Sequence, residues 1–332
     1  MNKKTSSDIA EVKKKKDSAG GCPAPAWRLK AHRLGTDLRR DYDLYLMFIP
    51  VFFIAYILMR YGPMYGITIA FKDFSLSKGV FGSPWVGLKH FRRLFRSQDF
   101  LLIVRNTLML NVLGLIFSFP FPIVLALMLN EVMHKRFKKV CQSLLYVPHF
   151  ISWVVLGGIV IDLLSPSSGV VNASLKAFGG EPIFFMANNK WWVFWYVVSG
   201  IWKEAGWGTI IYLAAITNID PALYESAELD GAGRLKKIWY ITLPSIKGTI
   251  STLLIMNMGK FMMIGFEQVY MLQNPSVRRV SEVISTYVYS VGLQQAQYSY
   301  TTALSLFQSV IGLIMIVLTN KICKSLGESG LW

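Results

Sequence analysis

Six long apolar runs constrain this chain more than any other feature of its sequence. A helix that crosses a bilayer needs roughly 20 apolar residues, because each residue rises about 1.5 Å through a hydrocarbon core of about 30 Å. The sequence therefore predicts an all-α membrane protein with six transmembrane helices. The apolar runs lie at about 44–61, 103–129, 144–164, 192–217, 246–272 and 303–322.

The composition favours a protein embedded in lipid. Of the 332 residues, 53% are hydrophobic and 16% are charged, and the mean hydropathy is +0.41. Soluble domains carry about 25% charged residues, so charge is strongly depleted. The net charge of +16 alone would suit nucleic acid or an anionic membrane. Because the charges avoid the apolar runs and favour alternate loops, we expect contact with membrane lipid and no nucleic-acid partner.

The basic residues also predict how the chain crosses the membrane. With the N-terminus in the cytoplasm, residues 1–43, 130–143, 218–247 and the C-terminal tail lie inside and hold 21 Lys and Arg residues, against 10 in the three outside loops. Cytoplasmic loops are enriched in Lys and Arg, so this excess predicts a multi-pass protein with both termini cytoplasmic. One outside loop departs from the rule. Its basic residues are Lys72, Lys78, Lys89, Arg92, Arg93 and Arg96.

Residues 1–40 differ from the rest of the chain. They are rich in Lys, with Ala, Gly and Pro and little periodicity, which is typical of a disordered tail. We expect this basic tail to stay in the cytoplasm and rest on anionic lipid headgroups, since no fold signal for nucleic-acid binding accompanies its charges. Residues 41–332 are predicted to form the transmembrane domain.

A polar segment at 218–247 separates the fourth and fifth apolar runs. Asp220-Pro221 supplies an N-cap followed by a proline at the first helical position, so a short helix is expected over 222–229. Asp230-Gly231 supplies a left-handed turn, and Pro244 ends a second helix before the next apolar run. A helix–turn–helix of this kind at a membrane face is typical of a docking element.

This segment resembles the EAA loop of binding-protein-dependent ABC permeases. The family pattern is E-A-A, three residues, G, nine residues and I-x-L-P, and the match is complete except that Ser226 replaces the first alanine. The resemblance implies a cytoplasmic EAA-type coupling helix that an ATPase contacts. The residues assigned to ATPase coupling are Glu225, Ala227, Asp230, Gly231, Leu243 and Pro244.

From about residue 42 to the C-terminus the chain looks like a sugar permease of the six-span, maltose-permease-like class. Several motifs are similar to a subgroup associated with complex oligosaccharides, such as fragments of pectin or alginate. These motifs are YGITIAFKD at 65–73, SPWVGL at 83–88, WKE at 202–204, YLAA at 212–215, GFEQ at 265–268 and YSY at 298–300.

The resemblance also implies a set of partners in a bacterial cytoplasmic membrane. The chain would form half of the translocation path for an oligosaccharide, beside a homologous second permease subunit. Two cytoplasmic ATPase subunits would use ATP and Mg²⁺, and an extracellular or periplasmic solute-binding protein would deliver the substrate. The chain itself would bind no cofactor.

Two other function classes compete with this interpretation. An intramembrane enzyme would need clustered acid, base or metal-ligating side chains, but none is visible, and no GxxxxGK[ST] phosphate loop occurs. The four histidines lack metal-ligand spacing, so we expect no catalytic residues and no metal site. The other alternative is a permease of the same architecture that imports a peptide or another small solute.

Ionisable side chains within the apolar runs point to a substrate path. Such groups avoid lipid, since Lys at mid-depth costs about 2.5–3.5 kcal/mol on insertion scales. Lys203 and Glu204 are adjacent and cannot share one helix face. They pair with different helices, or sit near a break at Gly206, or border the path. Trp202 either packs or supports a sugar ring. The candidate path residues are Trp202, Lys203, Glu204, Asn257, Lys260 and Glu267.

Overall fold

In the computed structural model of the chain, residues 42–327 and Gly330 are described. The basic tail predicted at 1–40 lies outside these residues. Over the described ranges the regular structure is helical, and the only pairing of extended backbone is one isolated bridge between Lys72 and Trp85. The predicted all-α class is confirmed.

Long helices alternate with short ones along the chain. The α-helices are α1 (Tyr42–Tyr56), α2 (Gly62–Gly66), α3 (Gly79–Gly82), α4 (Lys89–Arg96), α5 (Gln98–Leu113), α6 (Pro120–Asn130), α7 (Lys135–Tyr146), α8 (Trp153–Leu163), α9 (Val170–Ala177), α10 (Asn189–Thr217), α11 (Pro221–Leu229), α12 (Arg234–Lys237), α13 (Leu243–Ser245), α14 (Lys247–Gly259), α15 (Phe266–Leu272), α16 (Arg278–Ser281), α17 (Ile284–Tyr287) and α18 (Tyr298–Ser325). The π-helical turns are Ile57–Tyr61, Gly114–Ser118, Ile238–Thr242 and Val288–Gln294, and the 3₁₀ turns are Ile67–Phe71, Val147–Phe150, Phe185–Ala187 and Pro275–Val277.

The chain divides into two compact units, residues 1–65 and 66–332. In the described part of the first unit, every residue of α1 is exposed, and its rings stack along one side, with Phe48 and Phe52 centroids 6.0 Å apart. A helix that is apolar all round suits a lipid environment. The second unit contains all of the candidate functional residues.

Three helical stretches of the described chain are long and apolar enough to cross a membrane: Tyr42–Phe71, Gln98–Asn130 and Tyr298–Ser325. Two bent pairs would raise this number to five if each is one span. They join Lys135–Phe150 to Trp153–Leu163 and Arg234–Ser245 to Lys247–Gly259. α10 fills the predicted run at 192–217 with 29 residues but falls outside this set. A count of six spans stays a prediction.

Two of the predicted runs are interrupted rather than continuous. In the run at 144–164, the chain bends by 101° between Phe150 and Trp153, and Ser152 starts the next helix as its N-cap. Pro148 lies in the 3₁₀ turn at this bend, where its missing N–H removes a helical hydrogen bond. In the run at 246–272, α14 ends at Gly259 and α15 begins only at Phe266.

The second run stays helical despite its two prolines. Pro120 and Pro122 cannot donate hydrogen bonds to the preceding turn, and a π-helical turn at Gly114–Ser118 occupies that turn. The Phe119 N–H donates to the Gly114 carbonyl oxygen, five residues back, at 3.0 Å. The extra residue per turn therefore accommodates the prolines without ending the helix.

α10 is the central helix of the second unit. Its buried Trp192 belongs to one apolar cluster, with Val269 and Leu272 of α15, and the Trp192 indole N–H donates to the Leu272 carbonyl oxygen at 2.9 Å. Near its middle α10 approaches α7 so closely that a Cβ built on Gly206 would lie 1.9 Å from the Leu145 carbonyl oxygen. Only glycine fits at this contact.

Candidate functional site

The polar segment after α10 has the helix and the left-handed turn that its sequence predicts. The Asp220 carboxylate accepts a hydrogen bond from the Ala222 N–H at 3.0 Å, which caps α11. After the helix, Gly231 adopts a φ of +76°. Its N–H donates to the Glu228 carbonyl oxygen at 3.0 Å, and the Ala232 N–H donates to the Ala227 carbonyl oxygen at 2.8 Å. These two bonds form a Schellman motif, which determines the direction in which the chain leaves α11.

Two side-chain contacts join α11 to the helical segment that follows. The Lys237 ammonium donates to the Glu228 carboxylate at 2.5 Å, and this hydrogen bond holds the pKa of the Glu228 carboxyl below its usual value. The Tyr224 and Thr242 hydroxyls lie 2.9 Å apart, and Thr242 is buried. These two contacts hold α11 against the helical segment that follows it.

The elbow, residues 220–244, carries large apolar side chains that face outward. Leu229 is 92% exposed and Tyr240 is 79% exposed. Glu225 and Asp230 are also exposed, whereas Ala227 and Leu243 are half-buried. Large exposed apolar patches mark surfaces that bind other proteins or the membrane. The other exposed apolar residues of the elbow are Leu223, Leu235 and Trp239.

Lys203 lies at the bend between α7 and α8. Its side chain is buried, and its ammonium donates to the carbonyl oxygens of His149 at 2.7 Å and Ile151 at 2.6 Å. It also lies 5.7 Å from the centre of the Trp153 ring. Carbonyl groups at the end of a helix lack partners within it, so a buried cation there satisfies both groups.

Glu204 contacts the same bend as Lys203 through a different group. Its carboxylate accepts a hydrogen bond from His149 Nδ1 at 3.0 Å, and the His149 ring stacks on Trp207 with centroids 4.6 Å apart. The two adjacent charges therefore both contact His149, and α10 continues through Gly206, so the expectations of different partner helices and of a break at Gly206 are wrong. Glu204 and Trp207 both line a cavity.

This cavity has a volume of about 380 Å³ and lies among α5, α6, α10 and α14. Its wall combines apolar groups with amide, hydroxyl, carboxylate and indole groups. Such a mixture is typical of small-molecule sites, in which a few polar groups orient a ligand against an apolar surface. The polar and indole residues of this wall include Asn111, Ser118, Glu204, Trp207 and Asn257.

A second cavity of about 160 Å³ adjoins the first. The two share Asn111, Gly114 and Ser118, at and beside the π-helical turn. The second cavity reaches Gln268, whose amide donates to the Tyr196 carbonyl oxygen at 2.7 Å. We call these two adjoining cavities along α10 the passage.

The passage brings together some of the candidate path residues but not all of them. Glu204 and Asn257 line it. Trp202, Lys260 and Glu267 are exposed and do not line either cavity. Their roles, like that of the buried Lys203, stay predictions.

Asn111 and Ser118 line both cavities but were not among the residues predicted from the sequence. The signal that could have found them is a polar residue in an apolar run just before Pro120 and Pro122. Within residues 42–327, no group of three or more His, Cys, Asp or Glu side chains could hold a metal ion.

Comparison with known proteins shows which family the chain resembles. Residues 118–326 match the family described as "Binding-protein-dependent transport system inner membrane component". The polygalacturonan/rhamnogalacturonan transport system permease protein YteP of Bacillus subtilis (strain 168) is 49% identical over 303 residues, covering 91% of this chain and 94% of that protein. The arabinooligosaccharides transport system permease protein AraP of the same organism is 30% identical over 250 residues, covering 74% of this chain and 78% of that protein.

Solved structures show the same similarity. A chain of a bacterial ABC transporter involved in the import of the acidic polysaccharide alginate superposes with a TM-score of 0.80 at 43% identity, covering 88% of this chain and 99% of that one. A chain of a bacterial alginate transporter in complex with an alginate pentasaccharide-bound periplasmic protein gives a TM-score of 0.81 at 42% identity, covering 90% and 100%.

Proposed function

The chain belongs to the binding-protein-dependent transport system inner membrane components, and from this membership we propose that it is a permease subunit of an ATP-driven importer. It forms half of the translocation path for an oligosaccharide. The observation that carries this proposal is the similarity to sugar-transport permeases over nearly the whole length of both chains.

The cargo is an oligosaccharide derived from an acidic polysaccharide. A relative at 49% identity is named for polygalacturonan and rhamnogalacturonan, and a structural neighbour at 43% is described as importing alginate. The passage supports a sugar cargo, because amides and hydroxyls bond sugar hydroxyls and an indole can pack on the apolar face of a sugar ring. A peptide or another small solute is the alternative cargo.

The proposed assembly contains several other proteins. An extracellular or periplasmic solute-binding protein delivers the oligosaccharide, as supported by the neighbour that carries a pentasaccharide-bound periplasmic protein. A homologous second permease completes the path. Two cytoplasmic ATPase subunits bind ATP and Mg²⁺, so this chain binds no cofactor of its own.

The chain is a multi-pass component of the bacterial cytoplasmic membrane. We propose that both termini and the elbow are cytoplasmic, because the Lys and Arg residues favour the same side as the elbow. A reporter that is active only outside the membrane should be silent when fused after residue 235 and active when fused near residue 175. The reverse pattern would refute this orientation.

The elbow couples ATP hydrolysis to transport in this proposal. α11 enters a groove on the ATPase with its exposed apolar side chains. Glu225 supplies a charge-assisted contact, Ala227 permits close approach, and the turn at Asp230-Gly231 sets the angle. Leu243 and Pro244 begin α13, one residue before the helical stretch Arg234–Ser245 ends and bends by 58° into the next helix, so Pro244 does not itself end the second helix.

Substitutions in the passage test the path. Glu204→Ala and Asn257→Ala should each lower oligosaccharide uptake about five- to tenfold, because each removes a polar contact worth about 1–1.5 kcal/mol. Assembly of the complex and basal ATP hydrolysis should stay near normal. Uptake of labelled oligosaccharide is measured in a strain that lacks the native gene.

Ser309→Ala is the matched control, because Ser309 is an exposed residue of α18 outside the passage. Normal uptake in both passage variants would show that these residues do not line the path. Reduced uptake in Trp202→Ala, Lys203→Ala, Lys260→Ala or Glu267→Ala would extend the path to the wider set predicted from the sequence.

A further inference from the structure

The first loop outside the membrane in the proposed orientation carries a basic helix. α4 has the sequence KHFRRLFR, with four Lys or Arg residues and no acidic one. One side of this helix is anchored, because His90 and Leu94 are buried. The other side lines a cavity of about 830 Å³, which we call the basic cavity. Its wall consists of Val86, Leu88, Lys89, Arg92, Arg93, Arg96 and Ser97.

Most of the positive charge in the basic cavity is not neutralised. Lys89 pairs with Asp73 at 2.7 Å, and this contact holds the pKa of the Asp73 carboxyl below its usual value. Among the residues described, no carboxylate forms an ion pair with Arg92, Arg93 or Arg96. Three guanidinium groups on one short helix repel each other unless an anion lies between them. Their presence outside the membrane also departs from the positive-inside rule, so orientation does not account for them.

One guanidinium also faces a second cavity. Arg93 packs over the Tyr300 ring, 4.8 Å from its centre, and Arg93 and Ser97 line both the basic cavity and a neighbouring cavity of about 310 Å³. The neighbouring cavity is also lined by Asp99, a negative charge. Its Arg278 is already paired with Glu282 at 2.6 Å. The charge available to a ligand is therefore concentrated in the basic cavity.

The neighbouring cavity offers the groups that bind sugar hydroxyls. Its wall contains Ser290, Gln295 and Gln297 beside Tyr287 and Tyr300. The Gln297 amide donates to the Gln295 amide oxygen at 3.4 Å, which holds the two side chains together at this wall. Tyrosine rings provide apolar surface for a sugar ring.

We propose that the basic cavity and its neighbour form an outer binding site for an oligosaccharide that contains uronate residues. Arg92 and Arg96 hold carboxylates, for which guanidinium groups have matching fork geometry, and the neighbouring cavity holds ring hydroxyls. This inference rests on the proposed function and adds a site separate from the passage. α5 begins at Gln98, directly after Ser97. Asn111 lies 13 residues after Gln98, which is about 20 Å along the helix at 1.5 Å per residue. The substrate reaches the outer site before the passage.

Two other occupants would bind a basic surface: an acidic face of the solute-binding protein, and anionic lipid headgroups. The site favours the saccharide because carboxylate-binding groups adjoin amides, hydroxyls and aromatic rings. A lipid phosphate or an acidic protein face would use the cations alone.

The test uses the complete permease–ATPase complex in lipid nanodiscs without the solute-binding protein. Trigalacturonate binding is compared with binding of the neutral galactotriose, for the wild type and for the double variant Arg92→Gln/Arg96→Gln. Both arginines are exposed, so the variant should fold. We expect trigalacturonate affinity to fall at least about tenfold, and wild-type affinity to fall as salt rises, since each charge-assisted contact is worth about 1.5–3 kcal/mol. Galactotriose binding should not change.

Lys176→Gln is the matched control, because it removes an exposed positive charge on the proposed outer side away from both cavities. Unchanged trigalacturonate affinity in the double variant would overturn the outer site. In separate measurements, the solute-binding protein is added to both complexes, and trigalacturonate binding is compared in nanodiscs of neutral and of anionic lipid. A double variant that loses affinity only for the solute-binding protein would overturn the outer site, and so would wild-type binding that occurs only in anionic lipid.

Uptake of oligogalacturonide by the wild type, with its binding protein, is measured in parallel. If the wild type imports no oligosaccharide, the proposed function itself fails. If the wild type imports oligogalacturonide and the double variant binds trigalacturonate normally, only the outer site fails.

Discussion

Replacing Gly231 with valine is expected to leave the permease in the membrane at near-normal levels while abolishing most uptake. Gly231 has a φ of +76°, a conformation that costs a β-branched residue on the order of 1–2 kcal/mol. No atom lies within 4 Å of a Cβ built at this position, so the substitution creates backbone strain without a clash. The strain acts on the Schellman turn and changes the angle of α11. Association with the ATPase should weaken about five- to thirtyfold.

The matched control for this variant is Gly233→Val. Gly233 lies two residues farther along the same turn, also has no atom within 4 Å of a built Cβ, and has a φ of −70° that valine adopts freely. The complex is purified with each variant, and bound ATPase and substrate-stimulated hydrolysis are measured. If Gly231→Val retains both at the level of Gly233→Val, the elbow is an ordinary connector and the coupling proposal is wrong.

Replacing Gly206 with alanine is expected to lower the amount of folded protein sharply. The new Cβ would lie 1.9 Å from the Leu145 carbonyl oxygen, so a backbone group rather than a flexible side chain must move. Overpacking of this kind typically costs about 1–3 kcal/mol, and more where the backbone resists. Separation of α10 from α7 would also weaken the contacts of Lys203 with the bend.

Gly158→Ala provides the comparison, because Gly158 lies within α8 and a Cβ there meets no atom within 4 Å. It should be neutral or slightly stabilising, since alanine favours helices more than glycine does. The melting temperature of each detergent-purified complex is measured. Equal melting temperatures for Gly206→Ala and the wild type would refute the close approach between α10 and Leu145.

The elbow could be predicted from the sequence because its signals are local. The N-cap at Asp220, the proline after it and the glycine at the left-handed turn each act within a few residues. Such signals do not depend on how distant segments pack. The same reasoning explains why the apolar runs predicted an all-α membrane protein.

The bend at Phe150–Trp153 could not be predicted in the same way. Residues 144–164 form one mostly apolar run, and Pro148 and Ser152 indicate an interruption but not an angle of 101°. The bend depends on Lys203, which lies about 50 residues away and donates to carbonyl oxygens there. The sequence marked Lys203 as a costly charge but contained no signal for its partners.

Only some of the residues that line the passage could be predicted, because the others depend on packing between distant helices. Glu204 stood out because charges are rare within apolar runs, and Asn257 stood out as a polar neighbour of Lys260. Asn111 and Ser118 carry weaker signals, since a single neutral polar residue in an apolar run often bonds its own helix. The Asn111 amide does donate to the Thr107 carbonyl oxygen at 2.8 Å. Only the packing of four helices shows that it also lines a cavity.

The proposal that this chain forms part of the path of an ATP-driven oligosaccharide importer can be tested by reconstitution. Uptake of labelled oligogalacturonide is measured in proteoliposomes that contain the chain with its second permease, ATPases and solute-binding protein. We expect uptake that requires ATP and the binding protein, that stops when this chain is omitted, and that an unlabelled peptide does not inhibit. Uptake of peptide but not of oligosaccharide, or oligosaccharide uptake that persists without this chain, would contradict it.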